Sequence, residues 1–491
     1  NKIIFIDTDL TYQDLSIPVA INLKKLNYLG QGDLTSSIFD LKTHADIGSF
    51  DFNLDGVNYL QSKPVQADLI TRINTESLSL IFSKNDLKIK NLPLSFEGHF
   101  DILKNGYELD FNLKTKHTTL QEVVSLLPPT YDHWIQDTKM SGNTEIQVSL
   151  KGKHIANENI SPDLKVHVEI SEGTIAHKGI TDPIKNLRLV GDIQLPQLHM
   201  DSLKVQMDTL HFLLGNGFFD ARARTQGIEP VWISGQMNTK LNLQAFDDAI
   251  GLSKFDIRGN LELALQAEGQ YTTGIQKSGL RQRKQVITSI PKFNLKSKLT
   301  NGYIKLNELP EGVDRIAFNL DAHAKDGIWE NVYFTMSNIN AEVKDNFVRG
   351  KISVGNLKNF PIDANFQAKL SLAEIQHFYP IDSVELKGDL NVDFKAAGTY
   401  EPAKHLFPRT QSSLELKNGY VKYLLYPTLP IEKINVQTLV SSPRGSFRDL
   451  SVQVLPIRFE IAGEQFYLDA NLNNFDNLKY RVHSKGSLDL G

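Results

Sequence analysis

The stretch GDLNVDFKAAG, residues 388–398, sets Leu390, Val392 and Phe394 at alternate positions between two glycines ten residues apart. Alternation with a period of two gives a strand one apolar face and one wet face. The same frame stands twice upstream. GNTEIQVSLKG over 142–152 carries Ile146, Val148 and Leu150, and GNLELALQAEG over 259–269 carries Leu261, Leu263 and Leu265. Three copies at such long spacing mark one supersecondary unit repeated along the chain, each exposing a face that its neighbour must meet.

Working outward, each frame is preceded by a short helix signal. Leu120, Leu243, Leu372 and Leu490 open it, and they lie 123, 129 and 118 residues apart. Thr119, Asn242, Ser371 and Asp489 stand just before them, all residue types whose side-chain oxygens cap free N–H groups at a helix start. Thr119 with Glu122 and Ser371 with Glu374 have the spacing of a capping box. Apolar residues follow at i+3 and i+7, as in Leu120, Val123 and Leu127, before Pro128, Gly251 or Pro380 closes the helix. From the later glycines Gly173, Gly302 and Gly419 to the next leucine the spacing is 70, 70 and 71 residues, so the variation in period sits in two loop positions.

Other runs alternate in the same way, among them Tyr107, Leu109, Phe111 and Leu113, and Leu164, Val166, Val168 and Ile170. Asn105-Gly106, Asn301-Gly302 and Asn418-Gly419 predict hairpin turns and hence an antiparallel sheet. Proline echoes at Pro183, Pro310 and Pro430 suit loops entering strands. Residues 272–284 read as a solvated basic loop inserted in one copy. The expected fold is mainly β: an elongated array of antiparallel β-sheet repeats forming a curved groove, with one short helix per repeat. Its divisions fall at a partial, divergent repeat over 1–119 and at groove repeats over 120–242, 243–371 and 372–491. The chain opens on Asn1 and stops at Gly491 just as the next helix signal begins, which reads as a piece cut from a longer protein.

Composition narrows the function. With 491 residues, 41% of them hydrophobic, there is ample material for burial. Net charge is −4, which gives no electrostatic reason to invoke nucleic acid. Zero cysteines exclude disulfides and thiolate chemistry and suit an oxidising compartment. No apolar run approaches the roughly 18 residues of a membrane-spanning helix. The thirteen histidines fall outside metal-binding spacings, with His44, His167 and His177 read as strand or surface residues. Gly30-Gln31-Gly32 and Gly215-Asn216-Gly217 lack the lysine or third glycine of a phosphate loop and read as turns. The carboxylate pairs Asp7 with Asp9 and Asp247 with Asp248 carry no catalytic pattern. The chain is therefore read as a non-enzyme without cofactor. What repeats is an apolar sheet face with too few helices to cover it, so either a second sheet layer or a ligand must do so.

The capped helix, the glycine-bounded strand, the Asn-Gly-Tyr sites (301–303 and 418–420) and the closing Leu-x-Leu pairs (Leu241 and Leu243, Leu370 and Leu372, Leu488 and Leu490) together resemble the AsmA-like family, relatives of TamB and the chorein-type bridge proteins. The resemblance covers most of residues 50–491 and is one of pattern, without an invariant signature. It implies a periplasmic protein, anchored to the inner membrane through a segment outside this stretch, whose repeating apolar β-groove binds or conducts phospholipid or another acyl-chain lipid between the two membranes and supports outer-membrane biogenesis. Outer-membrane proteins are further partners on this reading. The candidate lipid-facing residues are Ile146, Val148, Leu150, Leu261, Leu263, Leu265, Leu390, Val392 and Phe394. The competing reading is a structural spacer or an assembly chaperone for outer-membrane proteins, with its sheet faces sealed against each other.

Overall fold

Alternation becomes strand almost throughout: the computed structural model is 74% strand and 8% helix. It describes every residue except 15–18, 55–56, 128–130, 179–181, 253, 279–281, 310, 358, 375–382, 402–403, 426–428 and 488–491. The fourth helix signal at Leu490, the closing residues Pro128 and Pro380, and Pro310 lie outside the described residues. The chain divides into two compact units, one comprising residues 1–237, 248–251 and 270–272, the other residues 238–247, 252–269 and 273–491.

The first unit holds β1 (Lys2–Asp14), β2 (Val19–Gln31), β3 (Ile38–Leu54), β4 (Val57–Asn74), β5 (Ser79–Ile89), β6 (Leu92–Leu103), β7 (Gly106–Thr115), the two-residue β8 (Thr118–Thr119), β9 (Thr138–His154), β10 (Asp163–His177), β11 (Ile184–Leu195), β12 (Lys204–Leu214) and β13 (Gly217–Gln226). From β1 to β7, then to β9 and on to β13, each strand pairs antiparallel with the one before. The described strands of residues 2–115 thus form one antiparallel meander.

After β14 (Val231–Asn242), the second unit holds β15 (Phe255–Ser278), β16 (Gln282–Ser289), β17 (Lys292–Leu306), β18 (Val313–Ala324), β19 (Tyr333–Val343), β20 (Asn346–Val354), β21 (Pro361–Ser371), β22 (Val384–Thr399), β23 (Arg409–Tyr423), β24 (Ile431–Ser442), β25 (Ser451–Ile461), β26 (Glu464–Asn473) and β27 (Lys479–Lys485). β15 pairs with β17, and from there each strand through β27 pairs antiparallel with the next. Of the insert at 272–284, expected as a loop, residues 272–278 prolong β15 and residues 282–284 start β16.

The Asn-Gly sites need correction. Asn105-Gly106 does end a hairpin, between β6 and β7, but Asn301-Gly302 and Asn418-Gly419 lie inside β17 and β23. There they form β-bulges, with Asn301 and Asn418 in the left-handed region at φ 51 and 49, as is Glu172 at φ 54 in β10. Register slips at the same place in all three copies, next to Gly173, Gly302 and Gly419. A bulge and a tight hairpin both call for a residue that tolerates positive φ, so the dipeptide serves either.

The bulge also explains the first glycine of each frame. A Cβ on Gly142, Gly259 or Gly388 would stand 2.5, 2.7 or 2.8 Å from the Cα of Gly173, Gly302 or Gly419. Each of the three has φ near +120, at 119, 119 and 122. Two backbones meet here with no room for a side chain, and the kink this permits raises strand twist.

Two helices sit where they are expected. In α1 (Leu120–Val124) Thr119 Oγ1 accepts from Glu122 N at 3.4 Å while Glu122 Oε2 accepts from Thr119 N at 2.7 Å, completing the capping box. In α3 (Leu243–Ile250) Asn242 Oδ1 accepts from Ala245 N at 2.9 Å, and Gly251 follows at φ 71. Between them α2 (Asp132–Gln136) carries no sequence signal that would have marked it. At Leu372 only residues 372–374 of the helix signal are described as helical. Glu374 there accepts from Asn346 Nδ2 at 2.5 Å. The end of α1 is held from the sheet: Lys63 Nζ donates to Leu127 O at 2.8 Å and Lys90 Nζ to Ser125 O at 3.1 Å, which satisfies carbonyls that a helix terminus leaves open. Burial and the neighbouring Lys90 charge hold the Lys63 ammonium below its usual range.

Candidate functional site

Directly paired residues on adjacent strands point to the same face, so register alone assembles the site. In the first unit Val148 of β9 lies in a row of six strands: Phe96, Leu113, Val148, Val166, Ile193 and Val205. Beside it runs Phe111, Leu150, Leu164 and Leu195. Ile146 stands opposite Val168. In the second unit Val392 belongs to an eight-strand row from Val348 through Ala368, Val392, Leu414, Thr438, Val454 and Ala470 to Val482. Leu265 heads a row through Leu295, Ala322, Phe334, Val354 and Ile362. Leu261 stands opposite Leu299, Leu263 opposite Ser297, Leu390 opposite Leu370 and Leu416, and Phe394 opposite Phe366.

The nine expected residues therefore lie on mostly apolar faces, three in the first unit and six in the second, with Ser297, Ser412 and Thr438 interrupting the second. None of them is buried: eight are half-buried and Phe394 is 37% exposed. The accessible surface says the same of the whole chain. It amounts to 30097 Å². A compact globule of 55.3 kDa exposes about 18,000 Å², and two separate globules of half that mass about 22,000 Å². The area of this chain exceeds both. One group of buried apolar side chains among the described residues is Leu26, Ala45 and Ala67, with Ile47 and Leu87 packed against it.

Sequence reading missed the aromatic part of this face. Phe82, Phe96 and Phe111, on β5, β6 and β7, pack with ring centroids 5.1, 5.4 and 6.0 Å apart. Phe100 and Tyr107 extend the group at 5.3 Å. Only the pairing of β5 with β6 and β6 with β7 brings them together; alternation around Phe96 and Phe111 was the available signal.

The opposite face is polar and largely neutralises itself. Lys114, Gln147, His167, Asp192, Gln206 and Arg224 form one row across it. Lys151 Nζ lies 2.6 Å from Asp110, which holds that carboxyl below its usual range, and Lys114 lies 2.8 Å from Glu145 with the same effect. His44 and His167, expected as strand or surface residues, stand on strands and pair with Asp68 at 2.7 Å and Asp192 at 2.9 Å. The Asp68 bond raises the His44 pKa. His177 instead takes Thr138 Oγ1 at 2.9 Å and packs beneath Gly251. Asp247 and Asp9 accept backbone N–H bonds from Leu252 and Lys25, a structural use. No group of three metal-ligating side chains occurs among the described residues, and no described helix is long and apolar enough to cross a membrane. The face can therefore attract an apolar ligand by burial and dispersion, while its reverse stays hydrated. Searches of protein-family models, curated proteins and solved structures return no match to this chain.

Proposed function

We propose that this chain is part of an AsmA-like envelope protein whose sheet curves into a groove and carries phospholipid or another acyl-chain lipid along its apolar face. The supporting observation is a cross-strand row of mostly apolar and mostly half-buried side chains, from Val348 to Val482 in one unit, where Thr438 interrupts it, and from Phe96 to Val205 in the other. Exposing an acyl chain of about sixteen carbons to water costs on the order of 12 kcal/mol, and contact with such a face removes much of that cost. The repeated bulges beside Gly173, Gly302 and Gly419 supply the local twist that bends a sheet toward a trough. On this reading each repeat brings one short helix to bracket the groove, the protein works in the periplasm, an anchor outside this stretch holds it to the inner membrane, and the division into repeats follows the helix starts at Leu120, Leu243 and Leu372. It binds rather than transforms its ligand.

Mass spectrometry of organic extracts from the purified protein tests the reading, together with exchange of a fluorescent phospholipid from donor vesicles. Co-purifying or transferable lipid in stoichiometric amounts is the expected result. A protein that neither carries nor accepts lipid would mean that the face is closed by polypeptide, as a spacer or assembly chaperone with a sealed core requires.

A further inference from the structure

Five strands of the second unit, β20 to β24, line an open hollow of about 640 Å³. Register places it on the polar side. Lys351, Asn365, Lys395, Gln411 and Ser441 form one cross-strand row, and Asp363, Ala397 and Arg409 form the next. The small Ala397 side chain opens the space, and the intervening residues Ala364, Ala396, Thr410 and Ser442 turn their side chains to the other face. Some basic side chains of the polar face spend their charge on carboxylates, as Lys114 does on Glu145, Lys151 on Asp110 and Lys240 on Glu262 at 3.2 Å. Lys351 does so as well, 3.4 Å from Asp363. Lys395 and Arg409 have no carboxylate partner among the described residues, and the donors of Asn365 and Gln411 have no hydrogen-bond partner there either.

We propose that this hollow is an oxyanion site that takes a phosphate or a phosphate ester. Three cations against one carboxylate leave a net local charge of +2 in a chain whose formal charge is −4. Lys395 and Arg409 are diagonal neighbours, about 7–8 Å apart at Cβ in an antiparallel pair, so both reach one tetrahedral anion between them. Arg409 offers a planar fork for two oxygens and Lys395 a point charge, while the amides of Asn365 and Gln411 supply neutral donors to the remaining oxygens. The site lies on the face opposite the apolar one, so it stands independently of lipid carriage along the groove. A phospholipid headgroup and a soluble phosphate present the same chemistry to it.

The test uses the intact chain and the double variant Lys395→Gln with Arg409→Gln, beside a control with Lys114→Gln and Lys151→Gln on the polar face of the other unit. Inorganic phosphate is titrated by calorimetry at constant ionic strength. Flotation with vesicles of phosphatidylcholine, alone or mixed with phosphatidylglycerol, reads the headgroup arm. Saturable phosphate binding that weakens about tenfold or more in the double variant and not in the control is expected for a soluble ligand. Binding only to the anionic vesicles, lost in the same variant, assigns the site to a headgroup. Equal behaviour of the double variant and the control in both arms, with unchanged thermal unfolding of each, overturns the site.

Discussion

Val148→Asp separates an open face from a sealed one. Val148 is half-buried on β9, between Leu113 of β7 and Val166 of β10. Full burial of a valine side chain contributes about 1.5–3 kcal/mol, so a half-buried one loses about 1 kcal/mol on replacement. A carboxylate that still reaches water there adds about another 1 kcal/mol through partial desolvation, for a total of about 2 kcal/mol. Were a second protein layer closed over Val148, the buried unpaired charge alone would cost about 3–5 kcal/mol. Ser149→Asp is the internal control. Ser149 sits one residue on, facing the wet side between Asn112 and Lys165, where a carboxylate opposite a lysine changes stability by less than about 1 kcal/mol. Urea unfolding followed by tryptophan emission and by circular dichroism measures both variants, with the first unit's transition fitted separately because a chain of two units need not unfold in one step. A loss above about 4 kcal/mol for Val148→Asp, or failure of that variant alone to fold, would refute the open face. The folded variant should also hold less lipid than Ser149→Asp.

Three further outcomes follow from particular contacts. Gly388→Ala should cost about 3 kcal/mol or more, because strain at φ 122 adds to a Cβ 2.8 Å from the Cα of Gly419, whereas Gly463→Ala, with φ 83 and open space around it, should show the strain alone, about 1 kcal/mol; paired denaturation curves compare them. Thr119→Ala should cost about 1 kcal/mol by removing one half of the capping box, read as a fall in the melting temperature of the first unit. Asp68→Asn should bring the His44 pKa down toward the ordinary value of about 6.5, as seen by NMR titration of the imidazole. Because Asp68 raises that pKa in the folded state, its stabilising effect is fully present below about pH 6.5 and fades as pH rises through the folded value, so the stability difference between wild type and variant should shrink across that window.

Much of the architecture was legible before any coordinates. Leu390, Val392 and Phe394 declare a strand and its apolar face because alternation is a local property of extended backbone, and the glycines on either side repeat at fixed spacing. Thr119 and Glu122 announce a helix start because a capping box closes within four residues. Asn301-Gly302 shows the limit. The dipeptide asks for positive φ, which a hairpin and a bulge both supply, and the choice depends on whether the chain beyond it keeps pairing with the same neighbour. The helix Asp132–Gln136 is of the same kind, since five residues with no cap of their own hold their shape through what they rest against.

By itself the sequence determined the strands, the division of each into an apolar and a polar face, the repetition of the glycine frame and the capped helix starts, all of which depend on residues within a few positions of one another. Tertiary structure alone decided the register. It set Val148 beside Leu113 and Val166, gathered Phe82, Phe96 and Phe111 into one cluster, brought Gly388 against Gly419, and placed Lys395 and Arg409 diagonally across two strands. Those neighbours lie tens of residues apart along the chain, and only the closing of successive antiparallel pairs fixes which of them meet.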